Sequence, residues 1–270
     1  MADAPALTLE NITVTFAARS AGASPYTAVR DTTLVVERGE FVSVVGPTGC
    51  GKSTLLNVAA GLLAPSTGRV AVFGTVLSGL NRNAGYLFQA DALMPWLSAL
   101  DNVAVGLRYC GTPKKEAHDK SRDWLARVGL AHHGHRYPHQ LSGGMKKRVA
   151  LAQTLILDPQ ILLMDEPFSA LDIQTRQLME NELLDLWSAD RKSVVFITHD
   201  LEEAIALSDR VIVLSAGPDT RPIGEYPIDL PRPRDVAEVR LTPRFVEFHR
   251  DIWHTMKDEV MKGYLQSQTA

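Results

Sequence analysis

Cysteine is scarce in this 270-residue chain: Cys50 and Cys110 are the only two, and they form no C-x-x-C pairing. A disulfide scaffold is thereby excluded, and both thiols are expected to be free in a reducing compartment. Long apolar runs are missing too. No stretch approaches the ~18 uninterrupted apolar residues of a membrane helix, and Met1 to Glu10 has no basic patch ahead of an apolar core. The expectation is a chain that neither spans a membrane nor is exported. Nor is charge of one sign in excess. The 28 basic and 31 acidic residues give a formal net charge of −3, which leaves no electrostatic footprint for gripping a nucleic-acid backbone. Internal repeats and low-complexity runs are absent as well. What remains, 45% hydrophobic and 22% charged, is the composition of a globular chain with a sizeable core, neither collagen-like nor disordered.

Element signals alternate along the chain. Residues 7–16 and 33–45 read as strands, the second ending in the run Phe41-Val-Ser-Val-Val45, and a glycine-rich turn and helix follow over 46–63. Over 91–140 the pattern is helical, broken by Gly111, Pro113, Gly129 and Pro138, as in a helical insert. A helix over about 143–157 places Met145, Val149, Ala152 and Ile156 on one face. The runs Ile161 to Met164, Val194 to Thr198 and Val211 to Leu214 read as buried parallel strands, and Asp200 with Glu203 as a capping box for a helix over 201–207. From 242 to 262, Thr242 and Pro243 sit at the start of a helix that repeats Phe245, Phe248, Ile252, Met256 and Val260 at helical spacing. The sum is an α/β fold with a mostly parallel sheet.

Two of these junctions carry chemistry. Gly46-Pro47-Thr48-Gly49-Cys50-Gly51-Lys52-Ser53-Thr54 matches the P-loop pattern between a strand and a helix. Its glycines let backbone N–H groups turn toward phosphates, the helix start adds a favourable dipole, Lys52 neutralises phosphate oxygens, and Ser53 can ligate Mg²⁺. The pair Asp165-Glu166 ends the second core strand. Hydrolysis of a phosphoanhydride needs a metal-bridged phosphate and a group that orients the attacking water, and alternation along a strand would point these carboxylates to opposite faces. Asp165 is the expected metal contact and Glu166 the expected base.

With these residues in place the chain resembles the ATP-binding subunits of ABC transporters. Leu141-Ser142-Gly143-Gly144-Met145 is similar to that family's signature, Phe196-Ile-Thr-His199 to its switch histidine, Phe168-Ser-Ala-Leu-Asp172 to its D-loop, and Gln89 in Tyr86-Leu-Phe-Gln89 to its Q-loop. The resemblance covers nearly the whole chain. It implies a P-loop NTPase with a RecA-like core, an antiparallel β subdomain near the N-terminus and a helical subdomain bearing the signature. One nucleotide-binding domain would span 1–270, with the helical subdomain at about 91–158 and a C-terminal helix at about 242–262.

The resemblance also implies roles. Ser142, Gly143 and Gly144 would meet the γ-phosphate held by the other subunit of a head-to-tail homodimer, so that one chain holds two half-sites; a helix start with a hydroxyl suits an anion. His199 would hold the γ-phosphate, the water and Glu166 in line. Asp172 would act across the dimer, and Gln89 would sense Mg²⁺ or water while linking to the insert. For stacking on adenine, Phe16 is favoured over Tyr26, with 17–25 a loop insertion between them. Met145 stands where the signature carries Gln, leaving Ser142 and both glycines intact. Cys50 lies near a helix start, where a thiol can be unusually reactive, but the plainer reading of a tolerated small side chain is preferred, and its alkylation is expected to inhibit by steric blockage. His132, His133, His135 and His139 read as a surface loop, and Pro231-Arg-Pro-Arg234 as a connection.

Ala90-Asp-Ala-Leu-Met-Pro-Trp96, Ser98-Ala-Leu-Asp-Asn102 and Pro138 to Met145 look like the nitrate, sulfonate and taurine importer branch. That branch implies ATP and Mg²⁺ as cofactors, permease subunits docked on apolar Leu93, Met94, Trp96 and Leu97, an indirect partnership with a solute-binding protein, and a place on the inner face of the cell membrane. The expectation is a single cassette with no long coiled coil, second nucleotide-binding domain or large C-terminal regulatory domain. The alternative is a soluble ATPase of the same fold acting on macromolecules in repair or regulation; a nucleotide-binding module without turnover is disfavoured by Lys52, Glu166 and His199 together.

Overall fold

The computed structural model describes residues 4–17, 24–90 and 92–269. Residues 18–23 of the expected loop and Asp91, at the expected start of the helical insert, lie outside them. Among the described residues the strands form two sheets. One is antiparallel, in the order β2 (Tyr26–Val36), β1 (Leu7–Phe16), β4 (Thr67–Val72), β5 (Thr75–Val76). The other runs β10 (Pro222–Pro227), β9 (Arg210–Leu214), β3 (Phe41–Val45), β8 (Ser193–Ile197), β7 (Ile161–Asp165), β6 (Ala84–Leu87); it is parallel except for β10.

The single strand expected over 33–45 is two. Glu40 N–H donates to Glu37 O at 3.3 Å around Gly39, whose φ of +70° suits glycine, and this turn sends β2 and β3 into different sheets. The second sheet is buried on both faces, which explains its unbroken apolar strands. In β3, Phe41 and Val45 face one core while Val42 and Val44 face the other; Leu162 and Met164 against Ile161 and Leu163 repeat the division in β7. Helix α1 (Lys52–Ala59) and the antiparallel sheet cover one face. The other face is covered by α4 (Gly143–Leu155), α5 (Ile173–Asp190), α6 (Leu201–Leu207) and α8 (Pro243–Thr269). As its spacing predicts, α8 buries Phe245, Phe248, Ile252 and Met256, and Thr242 Oγ1 accepts from Phe245 N–H at 3.3 Å.

Helices α2 (Ala99–Tyr109), α3 (Lys114–Arg127) and α4 share a separate apolar cluster that includes Val103, Leu125, Leu141 and Val149, with Met145 against it. Met145 thus packs inward, which accounts for an apolar residue at that signature position.

The segment Pro231 to Arg234 does more than connect. Helix α6 is short, and its C-terminal carbonyls need partners. Arg234, 9% exposed, donates to the carbonyls of Ala206 at 3.1 Å, Ser208 at 2.8 Å and Leu230 at 2.9 Å, with longer contacts to Ile205 and Ile228. Arg232 donates to Leu207 O at 2.8 Å and lies 4.2 Å over the Trp187 ring.

Candidate active site

Strands β3, β8, β7 and β6 are consecutive in the parallel sheet, so the segments leaving their C-terminal ends meet along one edge, where open α/β sheets bind ligands. From β3 comes the loop 46–51, from β8 His199, from β7 Asp165 and Glu166, and from β6 Gln89.

Within the loop Cys50 N–H donates to Pro47 O at 3.3 Å, but the start of α1 is left without a side-chain partner. Gly51, at φ +109°, caps α1 with no side-chain hydrogen bond, whereas Ser98, Ser142, Asp172 and Asp200 each cap the helix they precede. Thr48 and Gly49 are exposed, and a Cβ added at Gly49 would meet nothing within 4 Å. Lys52 Nζ is buried and donates to the carbonyls of Gly46 at 2.8 Å and Pro47 at 3.0 Å. Such a cradle, open donors around one cation, fits polyphosphate. Thr54 lies half-buried in the first turn of α1.

Cys50 is 1% exposed, and a Cβ at Gly46 would sit 3.1 Å from its Sγ. Burial pushes the thiol above its usual range, although Lys52 pulls the other way. This favours the plainer of the two expectations: desolvation outweighs the helix start, and the thiol is a packed small side chain.

Ser53 Oγ donates to Asp165 Oδ1 at 3.0 Å. Burial pushes the Asp165 carboxyl up, against the pull of that bond. Glu166 follows the end of β7 with φ +43°, so strand alternation does not apply to it and the two carboxylates turn toward the same loop. Glu166 Oε2 lies 2.9 Å from His199 Nδ1 and accepts from Gln89 Nε2 at 3.4 Å, while Oε1 is 4.0 Å from Lys52 Nζ. His199 is half exposed. One carboxylate, backed by an imidazole, thus faces a phosphate cradle. The oxygen donors Ser53, Asp165 and Gln89 suit a hard divalent cation.

Phe16 and Tyr26 are cross-strand partners in the β1–β2 ladder, both exposed. Val29 of β2 comes within 3.1 Å of a Cβ on Gly51, so this sheet borders the cradle. The structure brings both candidate rings together instead of selecting one.

The remaining predicted residues form a second cluster. Ser142 caps α4, its Oγ accepting from Met145 N–H at 3.3 Å; Asp172 caps α5, accepting from Thr175 N–H at 3.0 Å. A Cβ on Gly144 would fall 2.6 Å from Thr175 Cγ2, and one on Gly143 would fall 3.7 Å from Leu171. Among the described residues, no hydrogen bond or ion pair joins Ser142, Gly143, Gly144 or Asp172 to the loop 46–54.

Sequence reasoning missed Lys147, which is buried in α4 and donates to Gln89 O at 2.6 Å, tying the signature helix to the segment after β6. It also missed Tyr86, whose hydroxyl donates to Asn57 Oδ1 at 3.2 Å and reaches Asp165 at 3.5 Å. The Asp200 cap is present, but Glu203 does not complete the box: it accepts from Thr198 Oγ1 instead. No local pattern announces any of these partners, which are set by tertiary placement.

Residues 29–169 match the family described as ABC transporter. The taurine import ATP-binding protein of Pseudomonas aeruginosa is 42% identical over 243 residues, covering 88% of this chain and 91% of the relative. The bicarbonate transport ATP-binding protein of Synechocystis is 39% identical over 244 residues, covering 89% and 85%. Among solved structures, a dimeric ATP-binding cassette in a post-hydrolysis state bound to ADP and Pi superposes with a TM-score of 0.73 at 32% identity, over 83% of this chain and 99% of that one.

Proposed function

The chain belongs to the ABC transporter family as an ATP-hydrolysing cassette, and from that premise we propose that two copies close around two ATP molecules to drive uptake of a small solute through a permease. The observation that carries this reading is the division of the site. The cradle, Glu166 and His199 converge, whereas Ser142, Gly143, Gly144 and Asp172 form a separate anion-suited cluster. A second copy, placed head to tail, brings each cluster to the other's cradle. One nucleotide-binding domain over 1–270 suffices for this, with the helices of about 91–158 as the signature-bearing part.

ATP phosphates take backbone N–H donors of the loop 46–51, and Lys52 Nζ leaves the Gly46 and Pro47 carbonyls for phosphate oxygens. Phe16 and Tyr26 offer the adenine a ring on which to stack. Mg²⁺, held by Ser53, Asp165 and Gln89, would withdraw charge from the phosphates. Glu166 accepts a proton from the attacking water, whose oxygen bonds to the γ-phosphorus as the bond to ADP breaks. His199 fixes Glu166 and the water in line. Greater affinity of the closed dimer for ATP supplies the work, and hydrolysis resets it.

The permease contact is the loop before α2. Trp96 is 72% exposed and Tyr109 84%, beside a cleft of about 370 Å³ lined also by Met94, Leu97 and Val105. Buried Asn102 holds that loop by donating to the carbonyls of Met94, Leu97 and Ser98, so the surface is preformed. Leu93 instead packs against the interior. No helix among the described residues is long and apolar enough to cross a membrane, consistent with a peripheral motor on the inner face. The relatives' taurine and bicarbonate favour a small solute bearing an oxyanion group, delivered by a separate binding protein. In proteoliposomes with permease and binding protein, the chain should power ATP-dependent solute uptake, and Trp96→Asp should abolish uptake while the isolated chain keeps its ATPase rate. Uptake unaffected by Trp96→Asp would refute this docking surface.

A further inference from the structure

The half-exposed imidazole of His199 has little support of its own: among the described residues its ring has one hydrogen-bond partner, Glu166. Its backbone neighbours are held far more firmly. Thr198 Oγ1 donates to Glu203 Oε2 at 2.5 Å and accepts from Asp200 N–H at 3.0 Å. Asp200 Oδ1 accepts from the N–H groups of Glu202 at 2.9 Å and Glu203 at 3.3 Å. Both residues flanking His199 are thus tied to the first turn of α6. Asp200 and the nearly fully buried Glu203 would bring two negative charges together there.

A single guanidinium reconciles them. Arg176 Nη1 donates to Asp200 Oδ2 at 3.1 Å, and its Nε lies 3.5 Å from Glu203 Oε1. Its third arm goes elsewhere: Nη2 donates to Leu171 O at 3.2 Å, the residue before Asp172. Arg176 stands one helical turn after Asp172, the N-cap of α5, so its planar fork joins the D-loop backbone to the turn that carries His199.

We infer that Arg176 is a positioning residue that couples the D-loop to the switch histidine, so that the placement of Asp172 against a second copy sets the placement of His199 on Glu166. A fork of this kind is more rigid than a lone ion pair, because one planar group hydrogen-bonds the Leu171 carbonyl and the Asp200 carboxylate at once while its charge lies 3.5 Å from Glu203. When a partner seats the D-loop, the displacement of Leu171 is passed through the guanidinium to Asp200 and Glu203. Hydrolysis is then tied to dimer closure and suppressed in an unpaired chain. The inference rests on the proposed roles of His199 and Asp172. Arg176 touches neither the cradle nor Lys52, so ATP binding should not depend on it.

The test is a double-mutant cycle between Arg176→Gln and His199→Ala, reading kcat, KM, ATP affinity from a fluorescent nucleotide, and melting temperature. Arg176→Gln should lower kcat at least tenfold and leave the nucleotide Kd within twofold. In the His199→Ala background it should lower kcat by less than twofold, because its effect passes through that imidazole. Arg176→Lys, which cannot hold three oxygens in one plane, should recover only part of the loss. Glu203→Gln, which keeps the Thr198 bond but drops the charge, should be milder than Arg176→Gln and guards against a variant that fails to fold. Equal losses in both backgrounds, full recovery by lysine, or loss of nucleotide affinity in parallel with kcat would overturn the coupling. An unchanged rate for His199→Ala alone would instead remove the reading on which the coupling rests.

Discussion

Replacing Arg234 by alanine should destabilise the protein without touching its nucleotide chemistry. The side chain satisfies carbonyls at the end of α6 and on the following segment, three of them within 3.1 Å. At a net ~1 kcal/mol for each short bond and less for the two longer ones, the gross loss is about 3–4 kcal/mol. Part of that returns, because no carboxylate among the described residues bonds this buried cation and burial, with Arg232 nearby, pulls its pKa down to about 10. The net loss is then about 2–3 kcal/mol, and at ~2–4 °C per kcal/mol for a chain of this size the melting temperature should fall by roughly 4–12 °C. Differential scanning calorimetry of parent, Arg234→Ala and Arg234→Lys reads this directly, with lysine intermediate because one ammonium cannot reach so many carbonyls. The nucleotide Kd of folded Arg234→Ala should match the parent. A melting temperature within ~1 °C of the parent would refute the role of Arg234 as the cap of α6.

Two further predictions follow from buried titratable groups. A thiol reagent at neutral pH should modify exposed Cys110 promptly and Cys50 at least ~100-fold more slowly, since Cys50 reacts only through local opening and ATP should slow it further; equal rates by mass spectrometry of the labelled peptides would contradict the packing around the loop. Glu180 is 0% exposed, and its burial outweighs Arg240 and raises its pKa to about 8. The folded state therefore holds a proton that the unfolded chain releases near its ordinary value, and stability falls as pH rises from about 4.5 to about 8. Glu180→Gln should flatten that slope and gain stability relative to the parent toward pH 8, whereas parallel melting curves would show that Glu180 is ionised throughout.

The chemistry that needs contiguous residues was legible from the sequence. A phosphate cradle requires glycines, a lysine and a hydroxyl at fixed spacing, and the strand runs before Asp165 and His199 announce a sheet buried on both faces. The antiparallel strands β4 and β5 were not legible, being short and largely exposed. The left-handed turn at Glu166, which brings both carboxylates to one loop, has no signal in side-chain alternation. Contacts made by long cations across the fold were invisible as well: Arg176 to Asp200 and Arg234 to the end of α6 join segments whose meeting depends on the packed core. The adenine platform shows the same limit: sequence spacing makes Phe16 and Tyr26 rivals, whereas the β1–β2 register sets them opposite each other.

On the proposed function, one chain holds two half-sites and a second copy completes them. Size-exclusion chromatography with light scattering on Glu166→Gln with ATP measures it most directly. ATP should convert the variant to a dimer holding two nucleotides, because the water is no longer activated and the closed state persists. A variant that stays monomeric with ATP and hydrolyses it at the parent rate would contradict both the composite site and the assignment of its base.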